Sequence, residues 1–550
     1  MTGELEIKID DKSRKIMSGL TYQDLASEYQ KDFKFPIILA KVGNTYKELN
    51  ECIGNNEEIK FIDLKDPTGN KVYVNGILLL LIYATEKLFG QGSKIYVKHS
   101  IDKGIYITTN FELTKKKVDT LKERMNEYIL ESLPIMKCRV LRDEAIEYYS
   151  NKKDQTKVNL LKYNTHQHIT LYKLGSVYDY FFSLMPTTTG VLKNFDLHFL
   201  NNRGFILQFP TIYSDEIKEY VHHPMLFDVL SEYNKWADII QMHNVPDLNK
   251  IVSAGRADDV IRIEETIQSN RLLYLAREIV TKRKETKVIL IAGPSSSGKT
   301  TTSKKLSMFL RAFGYKPRAI EMDNYFVDRD KTPKDEDGEY DFESLEAVDT
   351  KSFDKDVKDL LDGKGVKLPT FNFVKGEREL GIKETYLGEK DILIIEGIHA
   401  LSPEILKDID KKYKYKIYLS PLVFLSIDSH NRISTTDTRL LRRIVRDNRT
   451  RGYNVDNTLR IWKKVRAGEE KHIFPNQDNA DVVVNTSMIY ELGVLKAYAE
   501  PLLYSVSTES PYYEDAIRLI NMLKPFLPIT SDAIPDDSIM REFIGGSCYK

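Results

Sequence analysis

The second half of the chain alternates short apolar runs with amphipathic segments. Five runs predict β-strands at 288–293, 318–323, 392–397, 416–420 and 481–485. Helical spacing between them favours an α/β fold with a mostly parallel sheet flanked by helices. Because ligands of such sheets bind beyond the carboxyl ends of the strands, the polar residues that end these runs are the first candidates for function.

The first half has a different pattern, in which apolar residues alternate at positions 5, 7 and 9, as in a half-buried strand. Helical spacing follows behind Thr21, a candidate N-cap. The further elements expected are strands at 36–42 and 58–64, an apolar helix at 77–89, an amphipathic helix at 114–133, a polar loop at 151–167, and helices at 261–279 and 513–523. The first half is therefore expected to hold small units of mixed strands and helices.

Residues 293–300, GPSSSGKT, fit the motif G-x-x-x-x-G-K-[ST] directly behind the first strand predicted for the sheet. A strand that turns through glycine into a helix directs backbone N–H groups and the positive end of the helix dipole at one point, which is a phosphate site. We expect Lys299 to reach the outer phosphates of a nucleotide and the Thr300 hydroxyl to bind Mg²⁺. The expected nucleotide contacts are Gly293, Ser295, Ser296, Ser297, Gly298, Lys299, Thr300 and Thr301. The alternative is a Ser- and Gly-rich turn that fits the motif by chance.

Two carboxylates end predicted strands of the same sheet. Glu396 follows four consecutive apolar residues and is expected to meet Mg²⁺, directly or through water. Asp323 could accept the proton of an attacking hydroxyl. The alternative for each is a strand-end cap or a solvated turn. Phosphoryl transfer needs both kinds of group beside the phosphates.

The segment 438–451 carries six arginines around an apolar stripe. Arg443 and Arg446 are three residues apart and lie on one helical face, with Arg439 one turn earlier. Guanidinium groups suit phosphate oxygens, so we expect a lid that closes over the nucleotide, excludes water and is mobile when empty. A nucleic-acid-binding basic helix and an ordinary solvated helix face are the alternatives.

Composition narrows the class of protein. Lys plus Arg and Asp plus Glu both number 81, so the net charge does not favour nucleic acid or an anionic membrane. Cys52, Cys138 and Cys548 are far apart and suggest neither a disulfide framework nor a cysteine-rich zinc site. The longest apolar run, 77–84, is too short to span a bilayer, and no signal sequence is recognised. A cytoplasmic protein without a membrane partner is expected.

Six ordered motifs resemble the uridine kinase family of P-loop nucleoside kinases, namely GPSSSGKT, EMDNYF, YDFESLEAVD, LPTFNFVKGER, ILIIEGIHAL and TRLLRRIVRDNRTRG. The resemblance implies that Asp323 is the catalytic base for the nucleoside 5′-hydroxyl and that Glu396 serves Mg²⁺. It also implies that Arg443, Arg446 and Arg451 belong to the lid, the first two acting in catalysis and the third in nucleotide binding.

The residues that differ from that family's pattern are at positions that bind the nucleoside. Glu343 stands where the family usually has an aspartate that holds the ribose hydroxyls, which keeps the charge and lengthens the arm. Phe371 and Gly376 stand where the family has the tyrosine and histidine that recognise a pyrimidine base. Phe371 either stacks on a base or belongs to the core. We expect Glu343, Phe371 and Arg378 to line the substrate site.

The first half resembles other families. Residues 1–64 are similar to a TGS domain, a β-grasp module, and 68–230 resemble the editing domain of threonyl-tRNA synthetase through HSIDKGIYI, PIMKCRVLRDEAIEYY and LYKLGSVYDYF. The histidines and cysteine of the editing site correspond to Asn75, Leu79, Phe181 and Met185. Because these replacements cannot relay protons, this half is expected to be non-hydrolytic. Possible roles are RNA binding, regulation of the kinase or assembly.

The sequence therefore predicts an ATP- (or GTP-) and Mg²⁺-dependent nucleoside kinase, with a homo-oligomer expected. The predicted parts are 1–64 (TGS-like), 68–230 (editing-like), 231–286 (helical connector), 287–490 (kinase) and 491–550 (carboxy-terminal helix and tail). Two alternatives stay open. One is a kinase for another small alcohol, such as a phosphoribulokinase or pantothenate kinase, and the other is a nucleotide-gated RNA-binding or regulatory protein.

Overall fold

The structure is a computed structural model of the 550-residue chain. It describes residues 4–10, 12–335, 338–372 and 375–549. Outside the described residues lie the start of the predicted TGS-like part, two positions of the motif LPTFNFVKGER and the last residue of the predicted tail.

Strands and helices cover both halves of the chain. The strands are β1 (Glu4–Ile9), β2 (Lys12–Met17), β3 (Leu39–Val42), β4 (Thr45–Glu48), β5 (Glu57–Ile62), β6 (Ile95–Ile101), β7 (Gly104–Thr109), β8 (Ile135–Leu141), β9 (His168–Leu174), β10 (Val177–Asp179), β11 (Asp196–Asn201), β12 (Gly204–Gln208), β13 (Val288–Ala292), β14 (Lys316–Glu321), β15 (Pro369–Asn372), β16 (Glu377–Leu380), β17 (Asp391–Glu396), β18 (Lys414–Ser420) and β19 (Val482–Asn485). The helices are α1 (Tyr22–Tyr29), α2 (Pro67–Phe89), α3 (Lys115–Leu130), α4 (Arg142–Asn151), α5 (Gln155–Lys162), α6 (Pro224–Ile240), α7 (Val245–Ser253), α8 (Ala257–Lys282), α9 (Lys299–Ala312), α10 (Thr350–Leu361), α11 (Thr435–Arg451), α12 (Val455–Gly468), α13 (Glu491–Tyr504), α14 (Tyr513–Leu523) and α15 (Ile539–Ile544).

The five strands predicted for the second half form one sheet in the order β14-β17-β13-β18-β19, and each neighbouring pair is parallel. The predicted α/β fold is confirmed. All residues of β13 are buried, as expected of a central strand that is covered on both faces. Helices α8 and α9 cover one face of the sheet and α10 contributes to the core on the other.

The described residues of the first half form three sheets. Strands β2-β1-β5-β3-β4 form a mixed sheet beside α1, whose start is fixed by reciprocal hydrogen bonds between Thr21 and Asp24. Strands β11-β12-β7-β6 and β10-β9-β8 form two antiparallel sheets. The cap predicted at Thr21 is confirmed.

Helix α2 is longer than predicted, because Asp66 caps it and Pro67 occupies its first turn. Among the described residues it is the one helix with the length and composition needed to cross a membrane. The apolar run 77–84 was predicted to be too short to span a bilayer, and that prediction is wrong for the length of the helix in which the run lies. More than half of its most apolar stretch is buried inside the protein. Ile77 and Leu79 have no exposed surface and belong to the core of the first half, as in a core helix of a folded domain.

The polar loop predicted at 151–167 is wrong, because this segment contains α5. Asp154 accepts a hydrogen bond from Lys157 N and caps the helix. Val158 and Leu161 are buried against α4 and β9. The charged residue Lys157 is itself buried, which no local polarity pattern indicates.

A buried ionic cluster joins the first half of the chain to the loop before α11. Lys157 Nζ contacts the Asp179 carboxylate and lies 3.9 Å from Asp428 Oδ1. His430 Nδ1 is 2.6 Å from Asp179 Oδ2 and 3.2 Å from Lys157 Nζ. Lys157, Asp179 and Asp428 are each 1% exposed, so every charge in the cluster depends on its neighbours.

Replacing Asp179 by Asn should destabilise the protein, because the change leaves Lys157 charged and underpaired in the interior. We expect a loss of about 3–5 kcal/mol in the free energy of unfolding, measured by urea denaturation. The matched control is Asp143→Asn, whose side chain is 84% exposed and should change stability by less than about 0.5 kcal/mol. Equal unfolding midpoints for the two variants would contradict the structural role of the cluster.

Candidate active site

The loop 293–300 connects β13 to α9 at the carboxyl edge of the parallel sheet. A Cβ on Gly293 would lie 2.3 Å from Leu419 O of the neighbouring strand, so only glycine fits there. Gly298 has φ +83°, a left-handed conformation that favours glycine, and α9 begins at the next residue. These two glycines allow the turn in which the first backbone N–H groups of α9 point into the site.

Lys299 lies at the start of α9 and points back along the loop. Its Nζ donates hydrogen bonds to Gly293 O at 3.0 Å and to Pro294 O at 3.2 Å. Burial lowers the pKa of Lys299, and the charges of Glu396 and Asp323 oppose the shift. The structure therefore brings the lysine together with both carboxylates that sequence reasoning selected.

Thr300 and Glu396 meet at the end of β17. The Thr300 hydroxyl donates to Glu396 Oε1 at 3.1 Å, whereas Glu396 Oε2 is buried without a hydrogen-bond partner among the described residues. Burial raises the pKa of Glu396 to about 7. No described group of three or more His, Cys, Asp or Glu side chains forms a ready-made metal site. A hydroxyl and one carboxylate with a free oxygen fit Mg²⁺, which is usually held by one or two carboxylates together with substrate phosphates.

Asp323 lies in a short 3₁₀ turn, Met322–Tyr325, directly after β14. Burial raises its pKa, against the charge of Lys299 and, more weakly, of Arg451. Glu343 is nearby, and burial together with the charge of Glu469 raises its pKa to about 8. The site thus concentrates carboxylates whose charge is only partly compensated.

Helix α11, the predicted lid, is packed into the core of the protein. Leu440 lies in a cluster with residues of α13 and α14, and Arg439 and Arg442 are 1% and 0% exposed. This burial contradicts both alternatives, the nucleic-acid-binding helix and the solvated face, whereas the mobility expected of a lid stays a prediction. The physical reason is that the arginines find carboxylates inside the protein, Glu469 for Arg439 and Glu491 for Arg442.

The other arginines predicted to bind phosphate converge on Asp447. Distances to its carboxylate are 3.1 Å from Arg443 Nε, 2.9 Å from Arg446 Nη2 and 3.5 Å from Arg451 Nη1. Arg443 Nη1 also donates to Ser295 Oγ at 2.9 Å. One face of α11 therefore forms a positively charged wall beside the phosphate loop, held in place by a single buried aspartate.

Glu469 also anchors the loop. Its Oε1 accepts from Ser295 N at 2.9 Å and from Arg439 Nη1 at 2.5 Å, and its Oε2 accepts from Arg466 Nη1 at 2.8 Å. Burial opposes ionisation, yet Arg439 and Arg466 hold the pKa of Glu469 below its usual value. The backbone of the loop is therefore anchored by a carboxylate that lies 174 residues away in sequence.

Comparison with known proteins agrees with this geometry. Residues 288–490 match the model of the phosphoribulokinase / uridine kinase family. The uridine kinase of Staphylococcus aureus strain JH9 is 30% identical over 203 residues, which make up 36% of this chain and 88% of that protein. This chain belongs to the phosphoribulokinase / uridine kinase family. A solved structure described as a possible uridine kinase from Bacillus stearothermophilus is 22% identical, and the match covers 39% of this chain and 98% of that chain with a TM-score of 0.27.

Membership of the phosphoribulokinase / uridine kinase family supports phosphoryl transfer to a small alcohol. The matched segment runs from β13 to the residue before α13, so it contains the phosphate loop, the carboxylates and α11. The resemblance of the first half to TGS and editing domains lies outside this segment and stays a prediction. Three of the four positions matched to the editing site, Leu79, Phe181 and Met185, are buried in one apolar core.

On the acceptor side, the structure favours the core role for Phe371. This ring is 5% exposed and contacts Phe326 edge to face, with centroids 5.7 Å apart. Arg378 forms an ion pair with Asp349 at 2.9 Å, so its guanidinium is already engaged. Gly376 has φ +75°, and a Cβ there would meet the Arg329 side chain at 2.8 Å. Of the three predicted substrate residues, Glu343 is the one that the structure couples electrostatically to Lys299 and Asp323.

Sequence reasoning missed Asp447, Glu469 and Glu542, which contact the arginine wall or the phosphate loop. Asp447 had a local signal, because it is four residues from both Arg443 and Arg451 on a helix. Glu469 and Glu542 contact the loop from distant parts of the chain. No spacing within the sequence indicates those two.

Replacing Glu469 by Gln should weaken the fold around the phosphate loop, because the buried Arg439 and the partly buried Arg466 lose their shared carboxylate. We expect a loss of about 3–5 kcal/mol in the free energy of unfolding and faster hydrogen exchange at the Ser295 amide. The matched control is Glu470→Gln, which affects a partly exposed carboxylate that pairs with Arg466. If the neighbouring substitution were equally destabilising, the anchoring role of Glu469 would be wrong.

Proposed function

We propose that residues 288–490 transfer the terminal phosphate of ATP, or GTP, to the 5′-hydroxyl of a nucleoside in an Mg²⁺-dependent reaction. The observation that carries this proposal is the shared site at the carboxyl edge of the sheet. There Thr300 is hydrogen-bonded to Glu396, and the charges of Glu396 and Asp323 both act on Lys299. Phosphate donor, metal and base are the parts that phosphoryl transfer requires in one place.

The phosphate side of the reaction rests on positive groups. The amides of the loop and Lys299 would bind the outer phosphates, for which Lys299 exchanges its hydrogen bonds to loop carbonyls for bonds to phosphate oxygens. Arg443 and Arg446 would offset the charge that develops on the transferred group, with Arg451 at the edge of the nucleotide site. Mg²⁺ held by Thr300 and Glu396 would neutralise part of the charge on the phosphate oxygens.

Asp323 would serve as the base. The hydroxyl proton passes to the Asp323 carboxylate while the hydroxyl oxygen forms a bond to the terminal phosphorus, and the bond from that phosphorus to the bridging oxygen breaks to release the nucleoside diphosphate. Burial raises the pKa of Asp323, which improves it as a proton acceptor as long as Lys299 keeps it ionised. Glu343, with a pKa of about 8, would be protonated at neutral pH and donate a hydrogen bond to a substrate hydroxyl.

The residues predicted to bind the nucleobase support a second class of acceptor. Phe371 is buried in the core and Arg378 is paired with Asp349, so neither is open to a pyrimidine ring. This arrangement favours an acceptor that is recognised through its hydroxyl groups, such as another small phosphorylated or polar alcohol. The reaction and the roles of Asp323 and Lys299 are the same for both acceptor classes.

We propose that the chain is divided into five parts. These are 1–64 (TGS-like), 68–230 (editing-like), 231–286 (helical connector), 287–490 (kinase) and 491–550 (carboxy-terminal helix and tail). The separate sheets of the first half support its first two boundaries. A nucleoside substrate and a cytoplasmic location follow from the proposed reaction. RNA contact through the first half and association between copies of the chain are supported by the resemblance to synthetase domains alone.

Lys299→Ala or Asp323→Asn should abolish most transfer, because one removes charge stabilisation and the other the base. For Asp323→Asn we expect a rate loss of about 100- to 10,000-fold, with nucleotide affinity little changed. The assay incubates a panel of nucleosides and other small alcohols with ATP and Mg²⁺ and detects the phosphorylated product. The matched control, Asp408→Asn, changes an exposed aspartate and should keep full activity. Unchanged turnover of the Asp323 variant would remove the base assignment.

Mg²⁺ binding should strengthen as the pH rises through about 7, because the raised pKa of Glu396 leaves the carboxyl protonated, and unable to bind the ion, at lower pH. Calorimetric titration between about pH 6 and pH 8 measures this dependence. Glu396→Gln should bind Mg²⁺ weakly and without that pH dependence, while Glu285→Gln, at an exposed site, should follow the unmodified protein. An identical pH profile in the Glu396 variant would exclude it as the metal ligand.

A further inference from the structure

The carboxy-terminal helix α15 contacts the phosphate loop, although it begins 49 residues after the segment matched by the family model (539 − 490). Glu542 Oε2 accepts hydrogen bonds from Thr301 Oγ1 at 2.8 Å and from Thr301 N at 3.3 Å. Ile539 covers Gly298, where a Cβ would meet Ile539 Cγ2 at 2.8 Å. The last helix of the chain therefore lies directly on the first turn of α9.

This contact places a negative charge where a phosphate is expected. Thr301 is in the first turn of α9, whose N–H groups lack partners within the helix and favour an anion. The Glu542 carboxylate accepts hydrogen bonds from both the amide and the hydroxyl of Thr301, as a phosphate oxygen would. The charge of Glu542 is also felt by Lys299 and by Glu396. A carboxylate and a phosphate cannot accept from the same donors at once.

The helix itself is firmly held, so the carboxylate is the part free to move. Met540 and Phe543 are fully buried in the core that contains α11 and α13. Arg449 donates to the backbone carbonyls of Glu542 at 3.0 Å and of Phe543 at 3.2 Å. These contacts use the backbone and the apolar face of α15. Rotation of the Glu542 side chain would release Thr301 without unpacking the helix.

We propose that Glu542 is a residue of the nucleotide site that sets the affinity for the donor, by holding the phosphate position at Thr301 until a nucleotide displaces it. This inference rests on the proposed nucleotide binding by the phosphate loop and extends the site to the carboxy-terminal part of the chain. Its chemical consequence is selective: ligands that carry phosphate compete with Glu542, whereas an uncharged nucleoside does not. The effect should weaken at high salt, because the repulsion is electrostatic.

The test compares the full chain with Glu542→Gln, which keeps an acceptor oxygen and removes the charge. Isothermal titration with MgATP should give about tenfold tighter binding for the variant at low ionic strength, since close like charges repel by an energy of this order. The difference should shrink at high salt. Adenosine, which lacks phosphate, should bind both proteins equally. Glu509→Gln removes one exposed carboxylate from the same part of the chain and should leave all affinities unchanged.

The outcomes separate this inference from the proposed function. Equal MgATP affinity in the Glu542→Gln variant and the unmodified protein, with clear binding by both, would overturn the role of Glu542 and leave nucleotide binding intact. An increase in affinity for adenosine as large as the increase for MgATP would also overturn it, because the effect of Glu542 would then be steric. Absence of MgATP binding in both proteins would overturn the proposed function and this inference together, whereas binding by the variant alone would support both.

Discussion

The position of the phosphate loop depends on arginines that are buried together with carboxylates. Arg439 and Arg442 reach from α11 to the carbonyl oxygens of Ser295 and Ser296, and Glu469 and Glu491 neutralise the two guanidinium groups. A charge left unpaired at these depths would cost several kcal/mol, which makes other arrangements of loop and helix unfavourable. The loop is thus shaped by its glycines and held in place by ion pairs with distant parts of the chain.

The parallel sheet brings the chemical groups to one edge. In the register of the sheet, Glu396 at the end of β17 lies beside Ile291 of β13 and Glu321 of β14. Because adjacent strands are about 4.8 Å apart, groups that follow their carboxyl ends are within reach of one phosphate chain. Burial raises the pKa values of Asp323 and Glu396, because its effect outweighs the opposing charge of Lys299. A divalent cation is the kind of ligand that offsets the charge of such carboxylates.

Parts of the chain outside the family segment contact the same machinery. Lys71 of α2 lies 3.6 Å from Asp437 near the start of α11, and Arg518 of α14 pairs with the same aspartate at 2.7 Å. Together with the cluster around Lys157 and the contact of Glu542 with Thr301, these ion pairs connect α11, the loop before it and the start of α9 to the first half and to the carboxy terminus.

The sequence by itself determined the elements whose signals are local. The five strands of the sheet, the glycines of the phosphate loop, the cap at Thr21 and the helix at 513–523 could all be predicted, because period and turn chemistry act over a few residues. Glu396 and Lys299 could be selected for the same reason, since one ends a strand and the other begins a helix. Asp323 was predicted to end its strand, but β14 ends at Glu321 and Asp323 lies in the turn that follows. The roles of these three residues in catalysis stay predictions.

Only the tertiary structure decided which charges are buried. The arginine-rich sequence favoured a lid, with a nucleic-acid-binding helix or a solvated face as alternatives. Its burial depended on Glu469 and Glu491, which follow α11 in sequence and meet it only after folding. The same holds for Lys157, which the local pattern assigned to a loop, and for Glu542 on Thr301. Burial of a charge is stabilised by a partner, and a partner distant in sequence leaves no periodic trace along the chain.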